Sequence, residues 1–265
     1  MNSTCRSCPK TALNQNFNIK LKSYDEFIIA LAGNPNVGKS TVFNALTGLK
    51  QHTGNWPGKT VSNARGNYRY KDKRFTLVDL PGTYSLLANS VEEQVARDFI
   101  CFGKPDATIV VADATCLERN LNIVLQIMEL TDKVVLCINL MDEAKRKGIL
   151  VDIEKLKRKL GIPVVATIAR KGEGLDNLMD KTYNIALGLE TTSPKQVQYP
   201  KVIEDKIDKI SKQLQNTLKD KLNTRWVALR LMEGDTTILE SIGMFVLDKK
   251  DTYIEREGTC IYGYQ

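Results

Sequence analysis

The sequence predicts an α/β fold, a mostly parallel six-stranded sheet with helices on both faces, followed by a small all-helical domain. Three observations predict it. Short unbroken apolar runs recur along the first part of the chain, and helical patterns separate them. After about residue 190 the strand-like runs stop and only helical spacing continues. Strands alternating with helices pair mostly in parallel and are covered on both faces, which is why they read as continuously apolar rather than alternating.

In order, residues 1–25 form a loose N-terminal extension, polar over Asn14–Asn18 and Lys20–Glu26. Phe27–Ala32 is an apolar run closed by a glycine, a strand buried on both faces. Lys39–Thr47 has helical spacing. Asn67–Lys71 alternates and lies a few residues before the next run, so it is expected as an edge strand hairpinned to it. Further strands are expected at Phe75–Leu80, Thr108–Ala112, Val134–Ile138 and Pro163–Ile168. Helices are expected at Glu92–Phe102, Leu117–Leu130, Ile153–Leu160 and Leu175–Leu187. Residues 26–190 therefore form one domain. Thr191–Pro200, with its Thr, Ser, Gln and two prolines, is a boundary. Val202–Leu218 places apolar residues at 203, 207, 210, 214 and 218, and Arg225–Met232 and Thr237–Leu247 complete a helical module over 191–265.

The chain has 265 residues, 42% hydrophobic and 26% charged, too apolar for disorder. Its net charge of +7 suits phosphate-bearing partners but is no nucleic-acid stripe. One histidine, His52, excludes His-rich metal sites and disfavours a Ser-His-Asp hydrolase. Six irregularly spaced cysteines imply a reducing compartment. Cys5 and Cys8 form a lone C-x-x-C without the second pair that structural zinc requires, and Cys101, Cys116 and Cys137 read as core. No stretch approaches the ~20 apolar residues of a membrane span. The chain as given is expected to be soluble, and a membrane role would need sequence beyond Gln265.

Gly33-Asn34-Pro35-Asn36-Val37-Gly38-Lys39-Ser40 matches G-x-x-x-x-G-K-[ST] between a buried strand and a helix. Glycines let successive N–H groups, through Thr41, turn inward on a pyrophosphate, and the helix N-terminus adds partial positive charge. Lys39 is placed for the β- and γ-phosphates and Ser40 for magnesium. Asp79-Leu80-Pro81-Gly82 follows at a strand end, with Asp79 beside magnesium and the Gly82 N–H near the γ-phosphate. Asn139-Leu140-Met141-Asp142 ends a later strand. Its Asp142 can accept from guanine N1–H and the 2-amino group, which adenine lacks. Leu140 stands where this motif usually has lysine, so modest affinity and fast GDP release are expected. The Ala169 N–H, after the last strand, is expected to face guanine O6. This order of motifs describes a P-loop GTPase of Ras-like fold.

Gly54-Asn55-Trp56-Pro57-Gly58-Lys59-Thr60-Val61 and Asp79-Leu80-Pro81-Gly82-Thr83-Tyr84-Ser85-Leu86 resemble switch I and switch II of the FeoB ferrous iron transport family. Arg225–Asp235 resembles a segment of that family's helical domain, and the likeness spans roughly residues 26–250. The resemblance implies a slow GTPase, binding GTP and GDP with Mg2+ and stimulated by K+. Thr60 would close on magnesium and the γ-phosphate, alongside Ser40 and Asp79. Asn36, with the carbonyls of Gly54 and Trp56, would hold potassium, whose charge does the work of an arginine finger. Thr60, Gly82 and Asn36 are then the residues nearest the chemistry. Thr83 stands where Ras-like enzymes place a glutamine, so no general base is assigned. Trp56 is expected at the surface and Trp226 in the helical core.

The resemblance further implies the cytosolic portion of a transporter at the inner face of the plasma membrane. Its main partner would be the transmembrane permease domain absent from this chain; small proteins of the Feo system and further copies of the chain are other partners, and nucleic acid is not. The alternative is a soluble Era/Der-type GTPase acting on ribosomal RNA, which shares the phosphate loop but would need an RNA-binding signature this sequence lacks. The basic residues Lys145-Arg146-Lys147, Lys155, Lys157, Arg158 and Lys159 read as a solvated helix face.

Overall fold

In the computed structural model, residues 17, 19, 26–48, 51–87, 89–218 and 221–246 are described. The strands are β1 (Glu26–Gly33), β2 (Gln51–Asn55), β3 (Ser62–Tyr70), β4 (Lys73–Asp79), β5 (Ala107–Asp113), β6 (Val134–Asn139) and β7 (Val164–Ala166). The helices are α1 (Lys39–Thr47), α2 (Val91–Asp98), α3 (Leu117–Leu130), α4 (Met141–Arg146), α5 (Ile153–Leu160), α6 (Leu175–Ala186), α7 (Lys201–Leu218), α8 (Thr224–Met232) and α9 (Thr237–Phe245).

The sheet has seven strands in the order β2-β3-β4-β1-β5-β6-β7. β4, β1, β5, β6 and β7 are parallel, with Ile29 opposite Leu77 and Leu31 opposite Ile109. β2 and β3 add an antiparallel extension. The expected six-stranded sheet is thus corrected to seven; residues 67–70 pair with β4 as expected, in the half of β3 beyond the 62–66 stretch that β2 covers. β2 reads Gln-His-Thr-Gly-Asn, and residues 52–55 are exposed. Backbone pairing to β3, not burial of side chains, makes it a strand, so hydrophobic pattern could not announce it.

Side chains alternate along each strand, so the sheet has two differently covered faces. On one, Ile29, Leu31, Leu77, Ile109 and Val111 pack against Val42, Phe43 and Leu46 of α1 and Leu178 and Met179 of α6. On the other, Ile28, Ala30, Val78 and Val110 pack against Ile123, Val124 and Ile127 of α3. That second cluster continues into the C-terminal helices through Trp226, Val227, Ile238 and Ile242. α7 and α8 close on each other around Ile207, Ala228 and Leu229. Phe17 and Ile19 of the expected loose extension are buried in the same cluster, 4% and 2% exposed. After Asp98 the α2 helix widens into a π-turn over Phe99–Gly103.

Of the cysteines, Cys101 and Cys137 are buried as expected, but Cys116 is exposed. It begins α3 rather than filling its apolar face. Cys5, Cys8 and Cys260 lie outside the described residues. Among those residues, no helix is long and apolar enough to cross a membrane.

Candidate nucleotide site

β1 lies at the point where successive connections diverge to opposite sides of the sheet, β4 on one side and β5 on the other. Crevices at the carboxyl ends of strands form at such points. Gly33 closes β1 with φ +147, and a Cβ there would lie 2.4 Å from the Val111 carbonyl oxygen. Gly38 precedes α1 with φ +84, and its Cβ would fall 2.3 Å from Asn139 Nδ2. Asn36 also takes a left-handed conformation, φ 64. No side chain caps α1. Its first-turn amides, with exposed Ser40 and Thr41, are therefore left for something other than the protein to satisfy.

The Asp79-Leu80-Pro81-Gly82 segment lies directly on this loop. Lys39 Nζ pairs with the Asp79 carboxylate and donates to the Leu80 carbonyl at 2.6 Å. Burial pushes the Asp79 carboxyl above the usual carboxylate range, and Lys39 draws it partly back. Gly82 packs so closely that a Cβ would be 3.2 Å from Pro35 Cα. The Thr83 N–H donates to the Gly33 carbonyl at 3.3 Å. Asn34 and Thr83 are 2% and 3% exposed. Their side-chain oxygens Oδ1 and Oγ1 have no hydrogen-bond partner among the described residues. Buried polar atoms are rarely left so, and these two mark the loop as built around an absent polar group.

At the other end, Asn139 is 1% exposed and ties three segments together. Its Nδ2 donates to the Val37 carbonyl at 3.2 Å, and its Oδ1 accepts from the Thr167 hydroxyl at 3.2 Å and the Ala169 N–H at 3.0 Å. The Ala169 amide, expected to face guanine O6, is thus given to Asn139 in this structure. Leu140 sits at φ 62 and starts α4. Asp142, in the first turn of α4, pairs through Oδ2 with Arg170, while Oδ1 has no partner among the described residues. Desolvation raises its carboxyl, but Arg170 overcomes this and holds it below the ordinary range. Arg170 was not singled out in the sequence. Its place beside Ala169, in a 3-10 turn at the end of the last strand, is the only signal for it.

The switch I residues expected at the nucleotide, Gly54, Trp56 and Thr60, belong to the β2–β3 hairpin. Gly54 is in the β2–β3 ladder opposite Asn63. The Trp56 N–H donates to the Val61 carbonyl at 2.9 Å, and the Trp56 carbonyl accepts from Lys59 at 3.0 Å, closing a hairpin turn. Thr60 is exposed on that turn. Trp56, expected at the surface, is 2% exposed because its ring packs on Phe17 and Phe99. The oxygen donors Ser40 and Asp79 flank Lys39 and suit a hard divalent cation such as magnesium.

A second constellation joins α2 to the C-terminal helices. Arg97, on α2 after switch II, is 1% exposed. It donates to Asp98 (2.9 Å), Asp235 (3.2 Å), the Thr237 hydroxyl (2.7 Å) and the Ser241 hydroxyl (2.9 Å). Burial raises the Asp98 carboxyl even though Arg97 pulls it down. Elsewhere on the interface, Asn223 Nδ2 donates to the Glu129 carbonyl at 2.9 Å.

Comparison with known proteins agrees with this geometry. The profile of the family described as ferrous iron transport protein B matches residues 27–182, and that of the FeoB cytosolic helical domain matches residues 199–257. The chain is 46% identical over 224 residues to the Fe(2+) transporter FeoB of Methanocaldococcus jannaschii, covering 84% of this chain and 32% of that one. It is 36% identical over 232 residues to a fusion of Fe(2+) transport protein A with FeoB from Porphyromonas gingivalis, covering 84% of this chain and 28% of the relative. The chain thus spans under a third of the curated relatives it matches. The cytosolic domain of the T. maritima FeoB iron transporter, solved in a GDP form, superposes with a TM-score of 0.76 at 39% identity over 85% of this chain and 89% of that one. The GMPPNP form of the same domain gives 0.74, again at 39% identity over 85% and 89%.

Proposed function

The chain belongs to the ferrous iron transport protein B family, comprising its G domain and cytosolic helical domain, and from that premise we propose that it binds GTP, hydrolyses it slowly and thereby regulates an iron(II) permease. The observation that carries the nucleotide reading is Asn139, which locks the phosphate loop at Val37 to the base-reading end at Ala169. Around it, Asp142 Oδ1 is an uncommitted acceptor for guanine N1–H and the 2-amino group. The α1 amides and Lys39 bind the phosphates once Lys39 leaves Asp79. Ser40, Asp79 and, after switch I moves, Thr60 hold magnesium, which offsets phosphate charge. The Gly82 amide, fixed against Pro35, orients the attacked end of the nucleotide. Without a glutamine at Thr83, water is held by backbone groups and turnover is slow. Asn36 and the carbonyls of Gly54 and Trp56 would hold potassium, whose charge would offset that of the transferring phosphoryl group.

A change at Gly82 reaches α2 and, through Arg97, the helical domain, which supports a relay toward the membrane. The division into 1–25, 26–190 and 191–265 is proposed on the same grounds. The permease domain, carried by full-length relatives, is the proposed main partner at the cytoplasmic face; the fused P. gingivalis relative supports a small Feo protein as another. Family membership displaces the ribosomal RNA reading. Calorimetry on the intact chain tests the core of this proposal. GDP is expected to bind and ADP not to, with Lys39→Ala losing GTP binding. Equal affinity for the two bases would overturn it.

A further inference from the structure

Through Trp56, switch I packs against a residue that precedes the first strand. The Trp56 ring meets Phe99 at 5.3 Å and Phe17 at 6.2 Å, both edge-on. Phe17 in turn meets Phe99 at 5.2 Å and stacks on Phe245 of α9 at 5.5 Å. One side chain ahead of the first strand thus touches switch I, the turn that follows the switch II helix, and the last described helix. Its backbone is fixed as well, since the Arg65 guanidinium of β3 donates to the Phe17 carbonyl at 3.0 Å.

The indole is not comfortable there. Trp56 is 2% exposed, yet Nε1 is buried without a hydrogen-bond partner among the described residues. A buried donor left unpaired opposes this arrangement, so the apolar contacts around the ring must outweigh it. Phe17, 4% exposed, supplies one of the two aromatic walls. In the same arrangement the Trp56–Lys59 turn is closed and Thr60 lies on the surface of the hairpin.

We propose that Phe17 is an autoinhibitory wedge. Phe17 pins Trp56 in the shared core and keeps switch I in its hairpin, so GTP must displace this contact before Thr60 can close on the nucleotide. The nucleotide half of this statement rests on the function proposed above; the wedge itself does not. Because Phe17 also stacks on Phe245, release of switch I and loosening of α9 are one event.

The test uses the full chain with Trp226→Phe, leaving Trp56 as the only one of the two tryptophans. Phe17→Ala is expected to raise acrylamide quenching of Trp56 several-fold. It should also shift the GMPPNP-to-GDP affinity ratio toward GMPPNP by roughly tenfold, the scale of losing most of one buried aromatic contact. Phe17→Leu, which keeps an apolar side chain in place, is expected to move both readouts in the same direction by less. It thus supplies the measurement if Phe17→Ala folds poorly. Unchanged quenching overturns the wedge. Increased quenching with an unchanged affinity ratio overturns the autoinhibition. If the parent chain binds no guanine nucleotide, the functional reading fails instead, and quenching alone still decides whether Phe17 holds Trp56.

Discussion

The helices α1 and α2 each follow a loop that touches the proposed phosphates, yet they are finished in opposite ways. α1 has no side-chain cap, and its apolar face, Val42, Phe43 and Leu46, packs within the G domain alone. α2 is closed at its start, where the Ser90 hydroxyl accepts from the Glu93 N–H at 3.2 Å and the Glu93 carboxylate accepts from Asn89 and Ser85. Its last turn sends Arg97 out of the G domain into α9. On the proposed function, the open N-terminus belongs to the helix that grips a ligand and the closed one to the helix that transmits. α1 packs on the face that the G domain keeps to itself, whereas the other face is shared with the C-terminal helices.

The largest expected effect would break the export while leaving the grip. Arg97→Ala removes the cation that bonds to Asp98, Asp235, Thr237 and Ser241 at once. Removing one partner of a buried ion pair typically costs about 3–5 kcal/mol, because the remaining carboxylates are left desolvated. Denaturant unfolding should show a loss of that order, with GDP affinity within about threefold of the parent if gripping is local. Unchanged stability would mean that the Arg97 cluster contributes nothing to holding the two modules together.

Asp142→Asn attacks the grip and leaves the export. Hydrogen bonds to a charged acceptor contribute about 1.5–3 kcal/mol, so GDP affinity should fall about 10- to 100-fold. Titration calorimetry reads this directly, and the thermal midpoint without nucleotide should barely move, since the Arg170 partner is largely exposed. A fall in stability comparable to that of Arg97→Ala would erase the distinction between the helices.

The grip was legible in the sequence and the export was not, for a physical reason. Phosphate loops need glycine where backbone crowds backbone, so Gly33 and Gly38 stand at fixed spacing and announce the loop. Parallel strands buried on both faces must be apolar throughout, so β1, β5 and β6 were readable to within a residue or so. β2 was not, because its side chains face water and only its backbone is engaged. Arg97 looks in sequence like any charge on an amphipathic helix; its burial depends on residues 138 to 144 positions away. Trp56 was misplaced for the same reason, since one wall of its pocket is Phe17 from a segment with no periodic pattern.

A smaller effect sharpens the contrast at the helix starts. Ser90→Ala should cost about 1 kcal/mol by freeing the Glu93 amide, the usual penalty for losing an N-cap. Hydrogen exchange of the α2 first-turn amides should rise, while those of α1 stay as they were. Equal changes in both would show that the two helix starts are coupled through the phosphate loop.

The smallest effect separates the two regions by the sign of their response to acid. Glu204 on α7 accepts both Arg225 terminal nitrogens, at 2.6 and 2.9 Å, and the Tyr199 N–H at 2.9 Å. These donors lower its carboxyl from 4.5 to about 2. A depressed carboxylate means that the unfolded chain binds the extra proton first. Its contribution is therefore complete above the unfolded value of 4.5 and is lost as pH falls through about 2. Asp79 beside Lys39 is shifted the other way, upward by burial, so its charged form is disfavoured in the folded protein and acid relieves that penalty. Between about pH 5 and pH 2 the latch on the helical domain should weaken while the phosphate loop does not. Glu204→Gln should flatten the acid limb of a stability curve followed by a probe in α7 or α8, and leave it unchanged at α1. An equally flattened limb at α1 would show that gripping and transmitting elements unfold as one unit, and the division between them would then be functional only.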